Sequence, residues 1–128
     1  MDSLNKTAKK ILIAEDEEDH ARILSALFKH AGFHVDRAKD GLDAYAIVIS
    51  ENRPDLLITD VRMPGLTGFE LLDKLKKENR MLPTTVVTAK QSEEDILRGL
   101  NYGALDYIMK PFSPSVVLAK VKAVLHRK

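Results

Sequence analysis

The sequence predicts a doubly wound α/β fold, one five-stranded parallel sheet with five helices on its two faces. Short apolar runs of strand length alternate along the chain with stretches of helical apolar periodicity, and several of the strands stop abruptly at a polar residue followed by a turn. Short right-handed crossovers admit few other topologies. The strand order 2-1-3-4-5 is expected. It puts a switch point between the first and third strands, where ligands of open α/β sheets bind outside the carboxyl ends. At 128 residues the chain is one domain's worth, so residues 1–128 are taken as a single domain with a basic extension at 1–9.

The elements follow in order. Ile11 to Ala14 reads as a central strand that stops in five acids, Glu15 to Asp19. Glu17, Glu18 and Asp19 suit the first turn of a helix, where acids favour the macrodipole; its apolar positions are Ile23, Leu24, Leu27, Phe28 and Ala31, and Gly32 ends it. Phe33 to Asp36 alternates as an edge strand with one wet face does. Asp40 caps a second helix with Asp43 at its third position, and Leu42, Tyr45, Ala46 and Ile49 form the expected buried stripe. Leu56 to Thr59 is a buried strand between Pro54 and Pro64-Gly65, ending at Asp60. Thr67 to Glu70 spells a capping box ahead of Leu71, Leu72 and Leu75. Thr84 to Ala89 is β-branched and apolar, a strand finished by Thr88. Ser92 to Tyr102 gives a fourth helix with few large apolar anchors. Asp106 to Met109 is the fifth strand, followed by Lys110-Pro111. Ser113-Pro114 opens the last helix on Val117, Leu118, Val121 and Leu125.

Composition narrows the function. Twenty basic residues against nineteen acidic give a net charge of +1, so no global field favours nucleic acid or an anionic membrane. Cysteine is absent, which removes disulfides, thiolate metal sites and cysteine nucleophiles. The apolar run behind the polar start is too short for a signal peptide or a membrane span, and a cytoplasmic, unprocessed protein is expected. His20, His30, His34 and His126 are dispersed, so neither a histidine metal cluster nor a phosphohistidine site is expected.

The predicted strand order brings Glu15, Asp16 and Asp60 to one sheet edge, with Thr88 and Lys110 ending the neighbouring strands. An isolated acid at a strand end is often only a turn cap. Three adjacent carboxylates repel one another unless a cation joins them or a proton stays on, and an all-oxygen donor set suits Mg²⁺. Metal, ammonium and hydroxyl converging on one carboxylate are what phosphoryl transfer needs, with Asp60 as nucleophile and an acyl phosphate as product. Five acids after the first strand would repel a flavin phosphate. A phosphatase with an aspartyl nucleophile would want an acid two residues on, where Arg62 stands.

Four motifs in order at strand ends carry a resemblance that spans about Lys10 to His126: Ile11-Leu12-Ile13-Ala14-Glu15-Asp16-Glu17, Asp60-Val61-Arg62-Met63-Pro64-Gly65, Thr88-Ala89 and Tyr107-Ile108-Met109-Lys110-Pro111-Phe112. The chain resembles the receiver domains of two-component response regulators, whose fold is flavodoxin-like. The resemblance implies Asp60 as phosphoacceptor, and Asp16, Glu15 and the Arg62 backbone carbonyl around Mg²⁺. It implies Lys110 as the partner of acceptor and phosphate, and Thr88 with Tyr107 as a switch pair. The Lys110–Pro111 bond is expected to be cis, as in the family. Glu15 departs from the commoner Asp, and Arg62 and Lys90 are cationic at positions that tune phosphate lifetime. The implied donor is a histidine kinase or phosphotransfer protein, and the output a change of partner or self-association, with a fused or separate effector. The domain would catalyse only its own phosphorylation and dephosphorylation. The last helix resembles that of winged-helix transcription regulator receivers, which dimerise through the fourth helix, fifth strand and fifth helix. Asp106 and Lys120 suit a salt bridge there, and Val116 replaces a usual acid. A receiver-like interaction module that is never phosphorylated is the alternative.

Overall fold

The computed structural model describes residues 9–88, 97, 101, 103–110 and 112–125. Five strands, β1 (Lys10–Ala14), β2 (His34–Ala38), β3 (Leu56–Asp60), β4 (Thr84–Thr88) and β5 (Asp106–Met109), pair in parallel in the order β2-β1-β3-β4-β5. The helices are α1 (Glu18–His30), α2 (Gly41–Val48), α3 (Gly68–Lys77) and α4 (Pro114–Leu125). The last of these is the fifth helix of the prediction. The predicted fourth helix lies outside the described residues except for Leu97 and Asn101, both helical.

Each sheet face carries its own core. Leu12, Ala14, Leu57 and Val86 pack under α2 and α3 with Ala44, Val48, Leu71, Leu72 and Leu75. Ile11, Ile13, Leu56, Ile58, Val87 and Ile108 pack under α1 and α4 with Leu24, Phe28, Val117, Val121 and Val124. Strands covered on both faces have no wet side, which is why β1 and β3 are nearly continuous apolar runs and every residue of β3 is buried. Edge strand β2 starts one residue later than expected and runs to Ala38. Phe33 packs edge-on against Phe28 instead, with ring centroids 6.0 Å apart.

Helix α2 overturns one expectation. Its buried face is Gly41, Ala44 and Val48, whereas Leu42 is 60% and Ile49 37% exposed, and Ala46 is exposed too. Tyr45 is half-buried and bridges to α3, its hydroxyl donating to Glu78 and its ring lying 4.7 Å below the Lys74 ammonium. Ile23 of α1 is likewise half exposed rather than buried.

The caps agree with the sequence. Asp40 accepts from the Asp43 N–H at 2.8 Å, and the Thr67–Glu70 capping box has both its bonds. Two glycines let the β3–α3 loop close tightly. A Cβ at Gly68 would lie 2.2 Å from the Asp60 carbonyl oxygen, and one at Gly41 would lie 2.0 Å from that of Leu66.

Candidate functional site

Strands β1, β3 and β5 deliver their last or next residues to one edge of the sheet. Asp60, the final residue of β3, is 8% exposed. Its Oδ1 accepts from the Val61 N–H at 2.6 Å, with the Arg62 N–H at 3.4 Å, and its Oδ2 accepts from Lys110 Nζ at 2.8 Å. Glu15 follows β1 and is 1% exposed. Its Oε1 meets the same ammonium at 3.0 Å, and its Oε2 accepts from the Glu17 N–H at 3.2 Å. Carboxylate oxygens of Glu15, Asp16 and Asp60 lie within 4.8 Å of one another, with Asp16 exposed at the mouth.

The charges do not balance. Burial, and then the neighbouring Asp60 charge, push the Glu15 carboxyl up to about 7 in spite of Lys110. For Lys110, burial favours the neutral amine, but hydrogen bonds from the ammonium to Asp60 and Glu15 outweigh it and hold the group above the ordinary lysine value. One ammonium therefore serves two carboxylates, and Glu15 is the one whose ionisation burial and Asp60 resist. This arrangement favours an added cation.

The remaining predicted residues fall as follows. Arg62 is exposed and lines an open depression with Asp16, Met63, Pro64 and Thr67. Thr88 ends β4 beside Met109, at the same edge as Asp60. The Thr88 side chain, Lys90 and Pro111, and with Pro111 the expected cis bond, lie outside the described residues. Tyr107 is half-buried on β5 against the α2–α3 core.

Three features escaped sequence reasoning. Lys110 pairs with Glu15 as well as with Asp60, a contact between the ends of strands that are not neighbours in the sheet. Arg37 reaches from β2 to the carbonyls of Glu15 and Asp16, and nothing in the alternation of β2 marks it out. His20 is not isolated as expected. Its Nδ1 lies 2.7 Å from Glu17 Oε1, a ring nitrogen lies within 4.8 Å of a Glu15 carboxylate oxygen, and the ring packs edge-on to Phe112 at 6.4 Å. Glu17 and His20 are one helical turn apart, which is the signal that was available.

A family description, the response regulator receiver domain, matches residues 11–122. This chain belongs to that family. As a receiver it is 42% identical over 119 residues to the alkaline phosphatase synthesis transcriptional regulatory protein PhoP of Bacillus subtilis (strain 168), covering 93% of this chain and 49% of that protein. It is 38% identical over 122 residues to the phosphate regulon transcriptional regulatory protein PhoB of Escherichia coli (strain K12), covering 94% and 53%. The receiver therefore spans about half the length of the curated relatives it matches. Among solved structures, the receiver domain of the Francisella response regulator 1452 superposes with a TM-score of 0.86 at 32% identity, covering 91% of this chain and 96% of that one. The chemotaxis protein CheY4 of Vibrio cholerae gives 0.85 at 30% identity, covering 92% and 99%. The receiver is thus a component of two-component phosphorelay signalling with the flavodoxin-like fold. No helix among its described residues is long and apolar enough to cross a membrane.

Proposed function

We propose that Asp60 accepts a phosphoryl group from a histidine kinase or phosphotransfer protein, and that occupancy of this one carboxylate switches what the receiver binds. The carrying observation is the convergence on Asp60 of the Lys110 ammonium at 2.8 Å and the carboxylates of Glu15 and Asp16. In the transfer, an Asp60 oxygen attacks phosphorus, the new P–O bond forms as the P–N bond to the donor imidazole breaks, and the leaving imidazole takes up a proton. The Val61 and Arg62 N–H groups hold the carboxylate plane, so the nucleophile needs little reorientation. Lys110 supplies positive charge where the phosphoryl oxygens gather negative charge.

Glu15, Asp16, Asp60 and the Arg62 carbonyl would hold Mg²⁺. The fit rests on the all-oxygen donor set and on three carboxylates that converge within 4.8 Å, two of them buried. Bound there, Mg²⁺ would neutralise charge on the phosphoryl group being transferred. Thr88 and Tyr107 act as the switch pair, and the cationic Arg62 and Lys90 regulate attack by water on the phosphate. The domain, residues 1–128 with its extension at 1–9, acts in the cytoplasm. It catalyses its own phosphorylation and dephosphorylation and no reaction on a separate substrate. It contacts no nucleic acid itself and works through a fused or separate effector. The retained acceptor, lysine and acids favour this over a module that is never phosphorylated.

Incubation with acetyl phosphate and Mg²⁺, followed by mass spectrometry of the intact chain, tests the proposal. Addition of one phosphoryl group is expected for the wild type and none for Asp60→Ala. Equal addition to both would remove Asp60 from the role.

A further inference from the structure

We propose that Arg37 is a positioning residue for the divalent-cation site: its guanidinium fixes the backbone that carries Glu15 and Asp16. The inference rests on the reading that these two acids hold the cation. Strands β1 and β2 run in register through Ala14 and Ala38, and one further ladder bond joins the Glu15 N–H to the Ala38 carbonyl at 3.0 Å. Both strands end at that level, and the chain leaves β1 into the acidic loop. The Arg37 side chain takes over where the strand stops. Its Nε and Nη2 donate to the Glu15 carbonyl at 3.1 and 2.9 Å, and Nη2 also reaches the Asp16 carbonyl at 3.3 Å.

Two consecutive carbonyls held by one planar fork orient the two peptide planes on either side of the Asp16 Cα, and with them the direction in which the Asp16 side chain leaves the chain. Asp16 is the exposed member of the acidic trio, and no hydrogen bond of its own carboxylate is among those described. Glu15 is different, since Lys110 and the Glu17 N–H already hold its carboxylate. The loop's orientation therefore matters most for Asp16. Without the fork, ordering the loop is deferred until the cation binds and is charged against its affinity.

Charge and position predict opposite signs. As a cation near an acidic site, Arg37 would weaken metal binding, so its removal would tighten it; as a positioning residue, its removal loosens binding. Arg37→Met keeps most of the aliphatic stem and deletes the donors. Arg37→Lys keeps the charge and one flexible donor group.

The test is calorimetric titration with MgCl2, together with the rate of phosphorylation by acetyl phosphate as a function of Mg²⁺ concentration. For Arg37→Met, half-saturation is expected at about tenfold higher Mg²⁺ in both measurements, with Arg37→Lys in between. The rate at saturating Mg²⁺ is expected to stay within about twofold of wild type, because a loop already ordered by metal no longer needs the fork. A merely structural role would lower the melting temperature without this split. Unchanged or tighter Mg²⁺ binding by Arg37→Met overturns the inference. Should that variant fail to fold by circular dichroism, Arg37→Lys carries the test, and wild-type affinity in it is the overturning result. If the wild type itself neither binds Mg²⁺ nor gains phosphate, the failure belongs to the proposed function and not to Arg37.

Discussion

Glu15 concentrates the site's chemistry in one side chain. Its carboxyl is raised from the ordinary 4.5 to about 7, by burial first and by Asp60 second. Between these values the folded chain holds a proton that the unfolded chain has released, so the group's contribution to stability falls as pH rises through that window. Glu15→Gln removes the titration. In EDTA, the wild type is expected to lose on the order of 2 kcal/mol relative to Glu15→Gln between about pH 4.5 and about pH 7.5. Urea denaturation across that range measures it, and parallel curves would refute a raised Glu15. Excess Mg²⁺ opposes the loss because it favours the ionised carboxylate. The wild-type melting temperature should accordingly rise more with Mg²⁺ near neutral pH than near pH 5. Lys110 is the other half of the pair, and Lys110→Met leaves two buried carboxylates facing each other. A loss on the order of 3 kcal/mol is expected near neutral pH, read by the same denaturation. That these residues share a site was legible in the sequence, because each stands at a strand end and the topology orders the ends. The Glu15–Lys110 contact was not legible, since it depends on a reach of a few ångströms between strands that are not neighbours in the sheet.

At the scale of elements, the sheet was legible and so was the helix α2 with its Asp40 cap, but not the inward face of α2. Strands buried on both faces must be apolar throughout, so composition alone shows β1 and β3; the edge strand β5, only partly buried, also falls at Asp106–Met109 as expected. In α2 the large side chains misled. The helix lies so close to the β3–α3 loop that a Cβ at Gly41 has no room against Leu66. Its inward face therefore takes small residues, Gly41 and Ala44, and the bulky Leu42 is left outside. Periodicity finds an apolar stripe but not which side the backbone can approach. The consequence is measurable: Leu42→Ser should change stability by less than about 0.5 kcal/mol, whereas Leu72→Ala, at the α3 core, should cost about 3 kcal/mol. A large loss at Leu42 would return that residue to the core. Gly68→Ala is a sharper probe, because its Cβ meets the carbonyl of Asp60. Displacement of the loop should destabilise the chain by about 2 kcal/mol or more and slow phosphorylation of Asp60 at saturating Mg²⁺. A Gly68→Ala protein with wild-type stability and rate would show that the loop can yield there.

On the scale of the whole molecule, phosphorylation at one sheet edge has to be read at a surface, and β5 with the start of α4 offers one. Met109 is 56% and Val116 48% exposed, and both line a groove with Phe112 and Lys120. The Lys120 ammonium bonds Asp106 at 3.1 Å across the same face, as the sequence led us to expect. That pair is partly exposed, so its own contribution is small, and it places one charge, Lys120, at the wall of an otherwise largely apolar groove. The groove lies on the strand that carries Tyr107 and ends next to Lys110, so a shift at the site has a short route to it. We expect beryllium fluoride with Mg²⁺ to convert the receiver from monomer towards dimer, followed by light scattering across a concentration series. Val116 is none of the residues assigned to the phosphate site, so Val116→Lys should accept phosphate at the wild-type rate. A buried lysine on each side of a symmetric contact should nevertheless weaken association by about 2 kcal/mol or more, on the order of thirtyfold in dissociation constant. Dimers of Val116→Lys as strong as those of the wild type would move the contact to another face, and wild-type chains that stay monomeric with the mimic bound would leave a heterologous partner as the reader of the switch.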